Sequence, residues 1–245
     1  MHCQPPDLRL VYNWLFNNQS CLLCGDRAEA ALALCAPCTL ELPWLRERCR
    51  RCALPMAIDG LLCGQCSRRR PAFRRVEVPL LYAYPVDGLV TRFKHQARWP
   101  IGRLLGELLG QWLQHRFSED LVRPDCLMPV PLAPRRLRQR GFNQAALLAR
   151  WLGAVLAIPC AEGTLLRPRE TTAQQDLPAR ARRHNLRQAF RVAADAAVNG
   201  RHIALIDDVL TTGATAQAAA RCLLDAGARQ VDVYCLARTA KPRRY

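Results

Sequence analysis

Two adjacent acids, Asp207 and Asp208, come directly after four apolar residues and shortly before a loop rich in threonine. The apolar run predicts a buried parallel strand that presents both carboxylates at its C-terminal edge. A helix rich in Ala and Leu is expected from about Ala214 to Ala226, with Gly227 placed to end it. Hydroxyl groups and free backbone N–H groups at the helix start, together with the positive end of the helix dipole, form a cradle for a phosphate. The residues of this cradle are Thr211, Thr212, Gly213, Ala214 and Thr215.

The combination of paired acids and a phosphate cradle indicates a sugar phosphate as the ligand. Asp207 and Asp208 lie where a ribose diol and its Mg²⁺ would sit beside the phosphate, and Mg²⁺ prefers oxygen ligands. The alternative is an ordinary strand–turn–helix whose threonines cap the helix, but capping needs one hydroxyl and no paired acids. The stretch resembles the phosphoribosyl diphosphate (PRPP) motif of type I phosphoribosyltransferases, in which an apolar strand precedes two acids and a Thr-Thr-Gly-x-Thr loop.

Three further basic segments could contribute to the same ligand site as this motif. Arg136 and Arg140 belong to a basic loop, residues 129–144, that follows a predicted strand and could hold a diphosphate. Lys94 is predicted near a strand-to-helix junction. The long basic stretch 167–190 could close over a bound ligand or over DNA. Taken alone, each segment is equally consistent with a solvated surface. The candidate residues in the long stretch are Gln174, Arg180, Arg182, Arg183 and Asn185.

Eight of the 13 cysteines form four Cys-x-x-Cys pairs, each of which begins 14 residues after the previous one. Two thiolates at this spacing can hold one ion from a tight turn, and two pairs complete a tetrahedral zinc site. We favour two structural zinc ions; one zinc with a buried, metal-free set is the alternative. Sequential and crossed pairing of the units both remain open. The predicted ligands are Cys21, Cys24, Cys35, Cys38, Cys49, Cys52, Cys63 and Cys66.

The formal net charge is +16, which attracts phosphate-rich partners such as nucleotides, nucleic acid or acidic membrane surfaces. No apolar run reaches the ~18–20 residues needed to span a bilayer. The first 20 residues lack the continuous apolar core of a secretory signal. We therefore expect a cytoplasmic location, where clustered cysteines hold metal more often than they form disulfides.

From residue 76 onward, strand-like and helix-like stretches alternate, which predicts a parallel sheet flanked by helices. We expect a cysteine-rich module over residues 1–72, an α/β domain over 73–245 and a linker at 67–75. The predicted strands are 78–84, 126–130, 203–206 and 231–237, and the predicted helices are 101–116, 143–156 and 214–226.

Together these stretches resemble the ComF/GntX family over nearly the full length. The segment Arg140-Gly-Phe-Asn-Gln144 is the most discriminating, beside Phe93-Lys94, the Cys-x-x-Cys pairs, residues 174–190 and the PRPP motif. The resemblance implies a type I phosphoribosyltransferase-like α/β fold, with helices on both faces of a parallel sheet, behind a zinc-ribbon-like module. It also implies a role in natural competence and in the use of extracellular DNA, through single strands and competence-machinery proteins. Gln174-Gln175-Asp176 departs from the family pattern, which has proline before the glutamine and glycine after it.

Two function classes follow from the residues. The first is a binding module that retains a pocket for PRPP or a ribose 5-phosphate compound and uses its arginines for single-stranded DNA. The second is a PRPP-dependent phosphoribosyltransferase that acts on a nucleobase or a nitrogen-containing small molecule, in nucleoside metabolism unrelated to DNA. In that enzyme Asp207 and Asp208 would be the catalytic pair that holds ribose and Mg²⁺. The intact acid pair favours the enzyme. The high charge, and the short stretch after the last predicted strand, favour the binding module.

Overall fold

A computed structural model describes residues 20–28, 32–168 and 189–240. By its contacts the chain divides into two compact units, Met1–Pro43 and Trp44–Tyr245. The smaller unit holds the first two Cys-x-x-Cys pairs and the short helix α1 (Ala36–Leu40). The larger unit holds the other two pairs together with the α/β sheet. The domain boundary expected between residues 72 and 73 stays a prediction.

The described part of the larger unit is built on a parallel sheet of five strands. The central strands β6 and β7 are buried along most of their length and pair in register from His202 opposite Gln230 to Leu210 opposite Arg238. β3 flanks β6, while β1 and β2 follow one another along the free side of β7. A separate antiparallel pair joins β4 to β5. The strands are β1 (Val76–Glu77), β2 (Leu80–Leu81), β3 (Cys126–Pro129), β4 (Leu165–Leu166), β5 (Arg191–Val192), β6 (His202–Leu210) and β7 (Gln230–Arg238).

Helices pack on both faces of this sheet, because β6 and β7 are apolar on both sides. On one face, Ile203 and Leu205 share a core with Ala219 and Leu223 of the helix that follows β6. Other helices pack against β6, β3 and β7. Among the described residues, none of the helices combines the length and apolar character that crossing a membrane requires. The helices of this unit are α2 (Gly64–Arg68), α3 (Val86–Gln96), α4 (Trp99–Glu119), α5 (Pro134–Arg140), α6 (Gln144–Leu156) and α7 (Ala214–Asp225).

Most predicted elements lie within two residues of their expected bounds, and Asn143 caps α6 by accepting a hydrogen bond from the N–H of Ala145 at 3.1 Å. Four local expectations were wrong. The acids lie inside β6 because pairing with β7 extends that strand to Leu210. Lys94 lies in the last turn of α3, and the Arg-rich loop contains α5. In place of the strand predicted over 78–84, the structure has the short strand β2 within that range and the short strand β1 just before it.

The segment expected as a linker is anchored at its C-terminal end. Phe73 is 2% exposed and belongs to the core of the sheet. Arg74 donates two hydrogen bonds to Asp232, at 3.1 and 2.9 Å, and the ring of His202 lies 3.0 Å from the same carboxylate. Burial alone would raise the pKa of Asp232, but His202 and Arg74 outweigh it and hold that pKa below its usual value. The chain therefore enters the sheet at a fixed position.

Candidate functional site

The two predicted acids lie near the C-terminal end of β6, which is the edge of a parallel sheet where ligands bind. Successive strand residues point to opposite faces, so the side chains of Asp207 and Asp208 diverge. Asp207 Oδ1 accepts a hydrogen bond from the N–H of Asp208 at 2.9 Å, and Asp208 Oδ1 accepts one from Val209 at 2.6 Å. These bonds orient both carboxylates relative to the backbone.

The environment of Asp207 opposes its negative charge. Burial contributes most and the charge of Asp208 adds to it, so the pKa of Asp207 rises to about 7. The hydrogen bond from the backbone and the cations Lys94 and Arg167 act in the opposite direction. A group poised near neutral pH would become fully ionised when further positive charge arrives beside it.

Lys94 is the cation in direct contact with the pair. Its Nζ lies 3.0 Å from Oδ2 of Asp208, and both side chains are largely buried. The last turn of α3 places it there, because Leu89, Val90 and Phe93 fix the apolar face of the helix in the core. The structure thus brings together three of the predicted site residues from distant parts of the sequence.

A cavity of about 330 Å³ opens beside Lys94. Arg136 and Arg140 line it from α5, and burial together with the charge of Arg136 lowers the pKa of Arg140. Crowded cations of this kind favour a multiply charged anion. The other lining residues include His95, Gln139 and Phe142.

The predicted phosphate loop occupies the start of α7. Gly213 adopts a positive φ of 76°, a backbone conformation that favours glycine, and precedes the first residue of the helix. Thr212 Oγ1 accepts a hydrogen bond from the N–H of Ala214 at 3.3 Å. Thr211 and Thr212 are exposed, whereas Thr215 is partly buried. Free N–H groups and hydroxyls at the N-terminus of a 12-residue helix are suited to a phosphate.

Sequence reasoning did not single out Arg167, which belongs to this region. Burial, followed by the charge of Arg136, lowers the pKa of Arg167, and its guanidinium lies 5.4 Å from the ring centre of Phe190. Trp99 and Phe142 stand 4.8 Å apart between ring centres at the side of the cavity. Phe142 had a signal, since it belongs to the Arg-Gly-Phe-Asn-Gln motif, but Arg167 is one arginine among many.

The residues expected to close over a ligand or DNA lie outside the described ranges. They are Gln174, Arg180, Arg182, Arg183 and Asn185.

The cysteines form two sets, each composed of two sequential Cys-x-x-Cys pairs, and the four Sγ atoms of each set lie within 4.8 Å of one another. Cys24 and Cys35 Sγ are 3.6 Å apart in the first set, and Cys52 and Cys63 Sγ are 3.7 Å apart in the second. A tetrahedron with Zn–S distances of about 2.3 Å has edges of about 3.8 Å. This spacing fits zinc and selects sequential over crossed pairing. The sets are Cys21, Cys24, Cys35 and Cys38, and Cys49, Cys52, Cys63 and Cys66.

Backbone N–H groups support the thiolates of both sets. Burial opposes ionisation of Cys21, but hydrogen bonds from the backbone of Cys24 and Cys35 lower its pKa to about 6. In the second set, the N–H of Cys63 donates to Cys49 Sγ at 3.3 Å, and the backbone bonds lower the pKa of Cys49 to about 7 against its burial. Thiolate is the form that binds zinc, so the sites are suited to structural zinc.

Comparison with known proteins bears on both parts of the chain. Residues 11–67 match the family described as Double zinc ribbon domain. DNA utilization protein YhgH of Salmonella typhimurium is 39% identical over 223 residues, which cover 89% of this chain and 96% of that protein. Competence protein F of Haemophilus influenzae is 32% identical over 226 residues, or 91% of this chain and 98% of that one.

Among solved structures, the adenine phosphoribosyltransferase of Leishmania donovani matches 69% of this chain and 89% of its own, with 14% identity and a TM-score of 0.39. The chain thus combines a parallel sheet flanked by helices with a double zinc ribbon that has structural zinc sites. On the identity and coverage of its relatives, the chain belongs to the ComF/GntX family of competence and DNA utilization proteins.

Proposed function

We propose that the protein binds PRPP, or a related ribose 5-phosphate compound, with Mg²⁺ at the edge of the sheet formed by β6 and α7. The observation that carries this proposal is the contact of Lys94, which lines the arginine-rich cavity, with Asp208, which lies three residues before the loop 211–215. Acids for a ribose and its metal, cations for a diphosphate and a helix N-terminus for a phosphate form one complete set of complementary groups.

Each group has one role in this proposal. The 5-phosphate binds at Thr211, Thr212, Gly213, Ala214 and Thr215. Asp207 and Asp208 hold the ribose hydroxyls and Mg²⁺, which would neutralise diphosphate charge when bound. Lys94, Arg136 and Arg140 take the diphosphate, so that Lys94 exchanges its carboxylate partner for the ligand.

At the level of the cell, we propose that the protein works in the cytoplasm on single-stranded DNA during the uptake or utilization of DNA. The relatives are named for DNA utilization and competence, and the matched regions span nearly the full length of each relative. These names support a role in DNA utilization and competence. The charge of +16 supports a phosphate-rich partner, and the competence machinery would supply the strand. The basic segment that contains Arg180, Arg182 and Arg183 is the proposed DNA contact.

The second candidate function is a PRPP-dependent phosphoribosyl transfer to a nucleobase or another nitrogen compound. The retained acid pair favours it, since simple phosphate binding needs neither Asp207 nor Asp208. Catalysis would rest on positioning and on electrostatic stabilisation of the departing diphosphate by the cavity arginines. Release of diphosphate from PRPP, measured with and without single-stranded DNA, separates this function from binding alone.

A matched pair of variants on α5 tests the ligand site. Arg136 lines the cavity, whereas Arg138 is exposed on the same helix and does not. We expect Arg136→Ala to weaken calorimetric binding of PRPP with Mg²⁺ by about tenfold or more, as expected for a lost hydrogen bond to a charged group. Arg138→Ala removes the same charge and should leave the affinity within about twofold. Equal effects of the two variants would contradict the assignment of the cavity.

Salt dependence tests the DNA proposal. Binding of a labelled single strand should fall steeply as salt rises, because each neutralised phosphate releases bound counterions. Charge reversal at Arg180, Arg182 and Arg183 should weaken this binding, whereas changes at Thr211 and Thr212 should act mainly on PRPP. Absent or salt-independent DNA binding would favour the small-molecule enzyme.

A further inference from the structure

Arg238 connects the second cysteine set to the start of the phosphate loop. It is the last residue of β7 and is 5% exposed. Its Nε donates to the carbonyl oxygen of Cys52 at 3.0 Å, and its Nη1 donates to the carbonyl oxygens of Leu210, at 2.8 Å, and of Thr211. One buried side chain thus holds a predicted zinc ligand on one side and the first residue of the phosphate loop on the other.

The turn that carries Cys52 is itself fixed in the core of the sheet. Ala53 is fully buried there, at a positive φ of 50° that an alanine rarely adopts. Its N–H donates to the carbonyl oxygen of Cys49 at 2.9 Å, which closes the Cys-x-x-Cys turn. The shape of this turn therefore sets where the carbonyl of Cys52 meets Arg238.

A second connection runs through the segment between α2 and β1. The N–H of Ala72 donates to Oε1 of Gln217 at 2.7 Å, and Gln217 lies in the first turn of α7. The ring of Phe73 lies 4.0 Å from the position that a Cβ atom on Gly213 would occupy. The start of the phosphate loop is thus held by Arg238, which also binds the carbonyl of Cys52, and its end by the segment that leads out of the second cysteine set.

The electrostatics of Arg238 favour a metal-loaded set. Its hydrogen-bond partners among the described residues are carbonyl oxygens and the hydroxyl of Thr239, with no carboxylate within ion-pair distance. A buried cation without an opposite charge is costly. Zinc bound by four thiolates carries a net negative charge, and the second set would hold that charge close to this guanidinium. Zinc in the second set would therefore stabilise the buried guanidinium beside Cys52.

We infer that Arg238 is a positioning residue that couples zinc in the Cys49–Cys66 set to the geometry of the phosphate loop. Loss of zinc from this set releases the carbonyl of Cys52, loosens Arg238 and lets the loop 211–213 fluctuate. The Cys21–Cys38 set belongs to the smaller compact unit and serves as the reference set in the test. The inference rests on the proposed function only for the identity of the ligand, since the coupling itself is a property of the protein alone.

The test uses Arg238→Met in the full-length, zinc-loaded chain, with Arg221→Met as the matched control because Arg221 is exposed on α7. Three quantities are measured: zinc content, calorimetric affinity for ribose 5-phosphate, and amide hydrogen exchange at Ala214, Gln217 and Thr239, whose N–H groups donate to Thr212, Gly213 and Leu210 in and beside the loop. We expect Arg238→Met to speed exchange at the loop at least tenfold and to weaken the ligand about tenfold, with the control unchanged. Unchanged loop exchange in a folded Arg238→Met protein would overturn the inference.

Arg238→Lys keeps the charge and part of the hydrogen bonding, so it serves if the methionine variant does not fold. An intermediate rate of loop exchange supports the inference, and a rate equal to wild type overturns it. If wild-type protein binds no ribose 5-phosphate, the proposed function fails, yet the exchange measurement still decides the coupling.

Loss of each metal set gives an independent arm. The double variant Cys63→Ser and Cys66→Ser should speed exchange at Ala214, Gln217 and Thr239, whereas Cys21→Ser with Cys24→Ser should leave it unchanged. Equal effects of the two double variants would overturn a coupling specific to the second set.

Discussion

Asp207→Asn is expected to stabilise the fold while it weakens binding of the ligand and Mg²⁺. The asparagine has the shape of the carboxylate and can keep the hydrogen bond that Asp207 Oδ1 accepts from the N–H of Asp208 at 2.9 Å. What it removes is the negative charge, which burial and the charge of Asp208 disfavour in the folded protein. Function and stability therefore oppose each other at this residue.

The magnitude follows from the pKa of Asp207, which is 3.8 for an ordinary aspartate and about 7 in the fold. Below both values the group is protonated in the folded and unfolded states and has no effect. Between them only the unfolded chain is ionised, so the free energy of unfolding falls as pH rises. Above the pKa of the folded state, the loss in free energy of unfolding caused by Asp207 is constant. At ~1.4 kcal/mol for each unit of pKa difference, this loss is no more than about 4 kcal/mol. Asparagine removes this cost, with a gain of up to about 3 kcal/mol at pH 6 and about 4 kcal/mol at pH 8.

The assay is urea unfolding of the zinc-loaded protein at pH 6 and pH 8, followed by tryptophan fluorescence. Asp225→Asn is the matched control, because Asp225 is exposed at the end of α7 and should change stability by less than about 0.5 kcal/mol. A free energy of unfolding at pH 8 that is unchanged or lower in Asp207→Asn would refute the reasoning that the fold opposes this charge.

Five further outcomes are expected. Asp232→Asn leaves Arg74 and His202 without their carboxylate and should lower the free energy of unfolding by about 3 kcal/mol or more, measured in urea. Because the pKa of Asp232 is lowered in the fold, its contribution is complete above the ordinary pKa and is lost as pH falls through the folded value, which a pH series in urea detects. Metal analysis should give about two zinc ions per chain, and a chelator strong enough to remove them should abolish the ordered structure of the ribbons in circular dichroism. Asn143→Ala should cost about 1 kcal/mol in the same urea assay, since it removes the cap of α6, and Lys94→Met should weaken PRPP about tenfold in calorimetry.

The main elements of the fold could be predicted because local patterns determine them. The apolar run before Asp207, the Ala-rich helix after Gly213 and the cap at Asn143 each carry their own signal. Where β6 ends could not be predicted in the same way. Its pairing continues to Leu210 opposite Arg238, and a partner strand that is close in space but separate in sequence decides that length.

Site residues that belong to a sequence motif could be predicted. Site residues that only tertiary contacts bring to the site could not. Lys94 was expected near the ligand, and the contact with Asp208 places it beside the acid pair. Arg167 and Arg238 were missed, because the sequence contains 36 cationic residues and nothing local distinguishes these two. Equal spacing of the Cys-x-x-Cys pairs likewise gave no preference between sequential and crossed sets, which the sulfur positions resolve.

The most direct test of the proposed ligand site is a calorimetric titration of PRPP with Mg²⁺ into wild-type protein and into the double variant Asp207→Asn, Asp208→Asn. We expect binding at one site in the wild type and an affinity at least about 100-fold lower in the double variant, because two charged ligands to the ribose and its metal are lost. Circular dichroism and zinc content should stay the same in both proteins. The absence of binding to wild type, or an equal affinity in the double variant, would contradict the assignment of Asp207 and Asp208 to the site for PRPP and Mg²⁺.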